Sequence, residues 1–366
     1  MTADDRLRRM RQAAQLLHRP GRRSPADVVR HLAGIQAQAP MAAELGIRAR
    51  TTRVSLEDVD RARFEERSTV RTWAMRGTIH LIAAEDVGWL VPLTVEPSVA
   101  ESRRRLDQQG VPWATAERAV GLIDDALAAD GPLTRREIAQ RLRRRRVRTE
   151  GQAGAQLVWL ASARGVCCFG PKRGGEHTFV HLRDWLGPPR ALDRDQALAE
   201  LAVRYLAAHS PAEPADLATW SGLRAADVRR AWSLAADRLV EVDTARGPRW
   251  RLKGRRSEVP EGSVRLLPMF DEYLMGWRSR DLILPERHAR KVIPGGGVIR
   301  QSAVADGVAV ATWSAVIKGR RLAVTVEPFA RPTRAVRAAL EKEAKDVGRF
   351  RGLPGDLVVG SAGATR

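Results

Sequence analysis

The sequence predicts an α+β protein: three tandem units, each a set of helices followed by a short β-hairpin, then an antiparallel β-rich C-terminal domain with a final helix. Three observations lead to that expectation. Apolar residues recur at helical spacing in groups, and each group ends in β-branched and aromatic runs around a turn. This order occurs three times before residue 260, the pattern of a modular repeat. Beyond it the spacing changes to alternation, with Asp306-Gly307 and Lys318-Gly319 between apolar runs, a hairpin signal. At 366 residues and 44% hydrophobic content, the chain is long enough to bury several such cores.

The first unit is expected over residues 1–116. Arg6 to Leu17 reads as its first helix, ended around Pro20-Gly21. Ser24 is a good N-cap, with Pro25 at the first helical position and an apolar face of Val28, Val29, Leu32 and Ile35. Pro40 disfavours helical geometry at Ala39, so this helix is expected to run to about Gln38. Met41 to Arg50 supplies a third helix. Val70 to Ile82 then alternates around Arg76-Gly77 as a hairpin. Three helices and a hairpin is the order of a winged helix, a relative of the helix-turn-helix.

The second unit spans residues 117–192. A helix from Glu117 through Leu127 is followed by Thr134, which with Glu137 three residues on forms a capping box. Gln152 to Arg164 is the third helix, and Val166–Phe169 with Thr178–Leu182 are the arms of the wing. The third unit spans residues 193–260, with helices Asp195–Ala208, Ala215–Ser221 and Ala225–Leu239. Its wing pairs Val240–Val242 with Arg249–Leu252. Residues 261–366 form the β-rich domain: strands at Val264–Leu267, Val298–Ile299, Val308–Val316 and Arg321–Val326, then a helix Thr333–Phe350. The Gly-rich tail from Gly352 is expected to fray.

Charge is the strongest global signal. Lys+Arg 63 against Asp+Glu 43 gives +20, which points to a polyanionic partner, nucleic acid first. The excess is almost wholly arginine; the only lysines are Lys172, Lys253, Lys291, Lys318, Lys342 and Lys345. GC-rich coding also produces arginine. No apolar run is long enough to cross a bilayer and the N-terminus lacks an apolar signal core, so the expectation is a cytoplasmic protein with no membrane partner. The two cysteines, Cys167 and Cys168, are adjacent and the seven histidines scattered, so neither a disulfide framework nor a four-ligand zinc set is expected. No phosphate-cradling glycine motif follows a strand. Neither a metal, a nucleotide nor any other cofactor is expected, and the protein is expected to be monomeric.

Several residues are candidates for function. In Arg141–Arg148 the side chains of Arg143, Arg144 and Arg146 are suited to neutralising phosphates, or simply form a solvated helix end. Arg71, Arg76 and His80 surround Trp73 and Met75, a mixture suited to phosphate contact beside an apolar wedge or to a half-buried hairpin. Asp271-Glu272 reads as a strand-end turn rather than a catalytic pair. Gln36 and Gln38 are the sharpest candidates. On a regular helix they point about 200° apart. Where the chain leaves the helix, residues two apart share a face and two neutral amides can converge on one water. On residue type alone, a polar helix end is the plainer reading of the pair.

Three segments taken together decide the context. Leu32-Ala33-Gly34-Ile35-Gln36-Ala37-Gln38, Arg71-Thr72-Trp73-Ala74-Met75-Arg76-Gly77-Thr78-Ile79-His80 and Leu267-Pro268-Met269-Phe270-Asp271-Glu272-Tyr273-Leu274 resemble the signatures of the AlkZ/YcaQ-type winged-helix DNA glycosylases. The resemblance implies tandem winged helices around a channel that holds the Gln pair. It also implies excision of N-alkylated bases, in some members from interstrand crosslinks, in DNA repair or self-resistance. The Gln-x-Gln form is similar to the AlkZ side of the family, with Ala37 smaller than the usual aliphatic between. Two glutamines make chemical sense there. An N7-alkylated guanine is cationic and leaves as a neutral base, so what it needs is an oriented water. An amide carbonyl can orient that water but cannot take its proton as a carboxylate does. The basic charge and repeated modules also fit a non-enzymatic winged-helix transcriptional regulator, although such regulators seldom fuse three modules to a β-rich cap.

Overall fold

The computed structural model describes residues 2–19, 21–255 and 262–360 of a mixed α and β fold. Helices Ala3–Ala14, Pro25–Leu32, Ala42–Arg50 and Leu56–Phe64 precede the strand pair Thr69–Trp73 and Ile79–Ala83. Helices Val87–Gln108, Trp113–Asp130, Arg135–Arg144 and Ala153–Ala163 precede Cys167–Arg173 and Glu176–His181. Helices Arg194–His209, Pro214–Ser221 and Ala225–Leu234 precede Leu239–Val242 and Arg249–Leu252. Local signals set many of these starts. Ser24, Thr134 and Thr333 each accept a hydrogen bond from a first-turn N–H, and the Ser24 and Thr134 N–H groups donate in return to the Asp27 and Glu137 carboxylates.

Two sheets organise the chain. The first two hairpins do not stand apart as separate wings. They join edge to edge at Arg71 opposite Phe169 to give one six-stranded sheet, closed at its ends by Ile35–Gln36 and Leu133–Thr134. Aromatic packing seals the seam: Trp73 lies 4.8 Å from Phe169, and Phe169 4.9 Å from Phe179, between ring centres. The C-terminal sheet runs, in spatial order, Gly355–Val359, Arg321–Pro328, Val308–Lys318, Ser302–Ala305 and Val264–Leu267. Its edge strand Gly355–Val359 pairs in parallel with Arg321–Pro328, so the sheet is not wholly antiparallel.

Several expectations need correction. The second helix stops at Leu32, six residues before Gln38, because Ala33 takes a left-handed conformation at φ 56° and Gly34 follows at φ 118°. Pro40 therefore plays no part in ending it. The tail beyond Gly352 does not fray before residue 359; a Cβ on Gly355 would stand 2.1 Å from the Ala344 carbonyl oxygen, and its absence lets this strand close on the final helix. Val298–Ile299 is not a ladder strand, only a single bridge from Val298 to Gly295. Helix Val87–Gln108 contains Pro92 and Pro97, residues that argue against a helix in sequence. The division expected between residues 260 and 261 lies outside the described residues.

The N-terminal helices and the C-terminal domain share one core. Val28, Val29, Leu32 and Ile35 pack in a cluster with Val264, Leu266, Val324, Leu340 and Phe350. Charged pairs run through the same junction. Arg50 and Asp271, both with no exposed side-chain surface, are joined through two bonds of 2.8 Å. Arg48 donates to Glu343 and Asp346 at 3.0 Å each. Breaking such a pair from one side leaves a charge buried without its counter-ion, which typically costs about 3–5 kcal/mol. Asp271→Ala is therefore expected to lower stability to urea by about that amount. Asp195→Ala, which breaks an exposed pair with Arg230, should leave the midpoint unchanged. Equal effects of the two substitutions would contradict the assignment.

Candidate active site

The Gln segment is a short edge strand launched by a helix stop. After the left-handed Ala33, the Gly34 N–H bonds back to the Val29 carbonyl at 3.1 Å and closes the helix end. A Cβ on Gly34 would lie 3.0 Å from Met75 Cε and 3.1 Å from Ile82 Cγ2, so conformation and crowding both require glycine. Ile35 and Gln36 then pair antiparallel with Leu81 and His80. Alternation sends Ile35 and Ala37 into the core and Gln36 to the opposite face.

The ladder is interrupted one residue later. The Ala37 N–H donates to the Ile79 carbonyl at 2.7 Å, but the Ala37 carbonyl does not receive the Ile79 N–H in return. Arg71 Nη2 donates to that carbonyl at 3.1 Å, while the Ile79 N–H donates to the side-chain oxygen of Gln38 at 3.2 Å. Gln38 thus replaces a strand partner with its own amide. Arg71 is held in place by stacking 4.6 Å above Phe169 and by a 3.1 Å contact with His177.

Gln36 is almost enclosed, with 6% of its surface exposed. Its side-chain oxygen accepts from Arg76 Nη2 at 3.1 Å, and its backbone N–H donates to Glu272 at 2.9 Å. The other carboxylate oxygen of Glu272 accepts from Trp220 Nε1 at 2.8 Å. Burial raises the pKa of Glu272, opposed by the positive charge of Arg76 and by the Trp220 and Gln36 bonds. Arg76 sits at φ 56° in the single turn Met75–Gly77, and Gly222 packs against its side chain so closely that a Cβ would stand 3.0 Å from Cγ. Arginine and backbone N–H groups can only donate, so both glutamine oxygens face these donors and each keeps a second lone pair.

The structure brings Gln36, Gln38, Arg71, Arg76 and His80 together on one end of the six-stranded sheet. Arg71 and Arg76 are half-buried and bind the Gln segment itself. His80 is fully buried, with Nδ1 3.0 Å from the Thr78 carbonyl; burial, helped by the Arg76 charge, pushes its pKa down to about 3. It offers no surface to a phosphate. Arg143, Arg144 and Arg146 lie elsewhere, at the C-terminal end of helix Arg135–Arg144 and just beyond, and all three are exposed. Arg143 donates to Thr149 at 3.0 Å, whereas Arg144 and Arg146 have no side-chain partner among the described residues. Among the described residues no group of three or more His, Cys, Asp or Glu is placed to hold a metal, and no helix is long and apolar enough to cross a membrane.

Sequence reasoning missed Glu272 and Trp220. Glu272 belongs to the Phe270-Asp271-Glu272 signature but read as a turn, and nothing in its spacing places it beside a backbone N–H 236 residues away. Trp220 carried no signal beyond its helical phase.

Comparison with known proteins shows the family. The AlkZ-like DNA glycosylase family matches residues 29–350. An interstrand DNA cross-link repair glycosylase from Streptomyces sahachiroi is 31% identical over 368 residues, covering 94% of this chain and 95% of that protein. The solved structure of the Streptomyces sahachiroi DNA glycosylase AlkZ superposes with a TM-score of 0.83 at 28% identity, over 97% of this chain and 99% of that one. A purely regulatory DNA-binding role is not favoured by these likenesses. With its signature segments assembled around Gln36 and Gln38, the chain belongs to the AlkZ-like family of DNA glycosylases.

Proposed function

We propose that this enzyme is a monofunctional glycosylase that hydrolyses the N-glycosidic bond of cationic, N7-alkylguanine-type bases in double-stranded DNA, including those in interstrand crosslinks. It works without a cofactor, as a cytoplasmic monomer, its three helix-and-hairpin units acting as winged helices on DNA and residues 261–366 as a β-rich cap. The observation that supports this most is the neutral character of the site. Two amide oxygens, of Gln36 and Gln38, are each oriented by a protein donor and each retain a lone pair for water. The neighbouring carboxylate, Glu272, is fully buried and already bonded to Gln36 and Trp220.

The reaction follows from that arrangement. Water held by the amides is aligned with the sugar carbon, and its oxygen forms the new bond to C1′. The C1′–N9 bond breaks with its electron pair passing to the base, which neutralises the cationic ring. The water's spare proton passes to solvent. With Glu272, the carboxylate bonded to the Gln segment, buried and already engaged, the amides have no strong base beside them and neutral undamaged bases are poor substrates. Lysine is absent before Lys172, so the segments that carry Gln36, Gln38, Arg71 and Arg76 contain no lysine amine to form a Schiff base with the sugar.

Two measurements test this reading. Gln36→Ala and Gln38→Ala should each slow single-turnover release of N7-methylguanine by about one to two orders of magnitude, while affinity for the same duplex stays nearly unchanged. The double variant should lose less than the product of the two, because the amides act on one water. Wild-type rates in both single variants would return the pair to a structural role. Apparent affinity for duplex DNA should also fall log-linearly with salt, and combining Arg143→Ala, Arg144→Ala and Arg146→Ala should flatten that slope. An unchanged slope would remove this basic run from the interface.

A further inference from the structure

Two buried polar atoms beside Gln36 have no hydrogen-bond partner among the described residues: Nε2 of His80 and Nη1 of Arg76. Orphaned buried groups are rare in folded proteins and ask for a reason. Here one is an acceptor and the other a donor. The Thr78 carbonyl, 3.0 Å from His80 Nδ1, can only accept, so Nδ1 carries the proton and Nε2 is left as a bare lone pair. The Arg76 guanidinium keeps its charge and its Nη1 can only donate.

The sheet brings the two residues to the same amide. His80 stands directly opposite Gln36. Because the ladder bond runs from Ala37 to Ile79, Gln36 and His80 form a pair of the non-hydrogen-bonded type, in which side chains approach most closely. Arg76 already donates to Gln36 through Nη2. One terminal nitrogen of the guanidinium is therefore engaged and the other idle, while the Arg76 charge is close enough to act on the His80 ring.

We propose that His80 is a positioning residue for base release: when damaged DNA enters, Arg76 Nη1 closes a hydrogen bond to His80 Nε2, and the fixed guanidinium aims the Gln36 carbonyl at the attacking water. This rests on the water-holding role of Gln36 proposed above. Hydrogen bonds of a catalytic site are often long or misaligned in the free enzyme and tighten only in the complex. A guanidinium bonded through one nitrogen still swings about that contact, whereas one bonded through both has a single orientation. His80 acts through Arg76, as a buried group behind the amide.

The test uses the full chain and a duplex carrying one N7-methylguanine. His80→Phe keeps the ring's bulk and removes the acceptor; it should slow single-turnover release about tenfold or more at saturating enzyme, with duplex affinity unchanged. His80→Gln, which can return an oxygen near the position of Nε2, should recover most of the rate. Wild-type release by His80→Phe, or a loss confined to affinity, would overturn the proposal. A second measurement is independent of turnover. In ¹⁵N-histidine-labelled protein, Nε2 of His80 should resonate as an unprotonated nitrogen, then move upfield on binding a duplex with 2′-fluoro-stabilised N7-methylguanine. A protonated Nε2 in the free protein, or a resonance unmoved by that duplex, would equally overturn it. Failure of the wild-type protein to release base would count against the glycosylase reading instead, and the nitrogen spectrum would still decide whether the bond closes.

Discussion

The architecture hangs on the buried pair of Arg50 and Asp271. Arg50 ends the third helix of the N-terminal part, and Asp271 opens the short helix Glu272–Met275 after the first strand of the C-terminal sheet. Both Asp271 oxygens accept from Arg50, and one of them also caps the Tyr273 N–H at 2.9 Å. The remaining Arg50 Nη2 contact, 2.6 Å to Gln15, draws in the end of the first helix. A buried ion pair contributes little net stability against an apolar substitute, because both charges had to leave water. What it contributes here is register. With Asp271 locked, the next residue, Glu272, is presented to the Gln36 N–H and to Trp220 Nε1.

That register explains how a site built on a two-residue edge strand can be rigid. Such a strand has few ladder bonds of its own. Its stiffness is supplied from outside: Glu272 on the Gln36 N–H, Arg76 on the Gln36 side chain, Arg71 on the Ala37 carbonyl. Each is a charge-assisted bond in a half-buried or buried setting, the strong kind. The arginines behind the net charge of +20 thus fall into two groups. Some arginines face inward and shape the site, and others, such as Arg144 and Arg146, face solvent where a polyanion can reach them.

Much of the fold was legible where a signal is local. The capping residues Ser24 and Thr134, the Asp306-Gly307 turn and the amphipathic helix ending at Phe350 all act within a few residues, so sequence spacing alone reveals them. The error at the Gln segment is instructive. Val28, Leu32 and Ile35 fit a helical period, yet the same residues serve a helix that ends at Leu32 and a strand in which Ile35 alternates with Gln36. The stop signal was Gly34, not Pro40, and its need for glycine comes from Met75 and Ile82, which only the tertiary structure brings close. Fusion of the first two hairpins into one sheet was invisible for the same reason, since the Arg71–Phe169 pairing joins distant segments. Of the site, the Gln pair and the arginines around Trp73 could be named from sequence. Their division into inward-facing and outward-facing groups depended on contacts 34 and 40 residues apart in the chain, and the part played by Glu272 on one across 236.

A site of two oriented amides, with the adjoining Glu272 buried and no lysine in the segments that carry the amides and their arginines, should cut one bond in one kind of base. The most direct test is to incubate the enzyme with duplex DNA containing N7-methylguanine. Chromatography then detects the free base, and the strand is followed before and after alkali and in the presence of borohydride. Free N7-methylguanine, an abasic strand that stays intact until alkali, and no borohydride-trapped protein–DNA adduct are the expected result. DNA binding without base release, or a trapped covalent adduct, would contradict it.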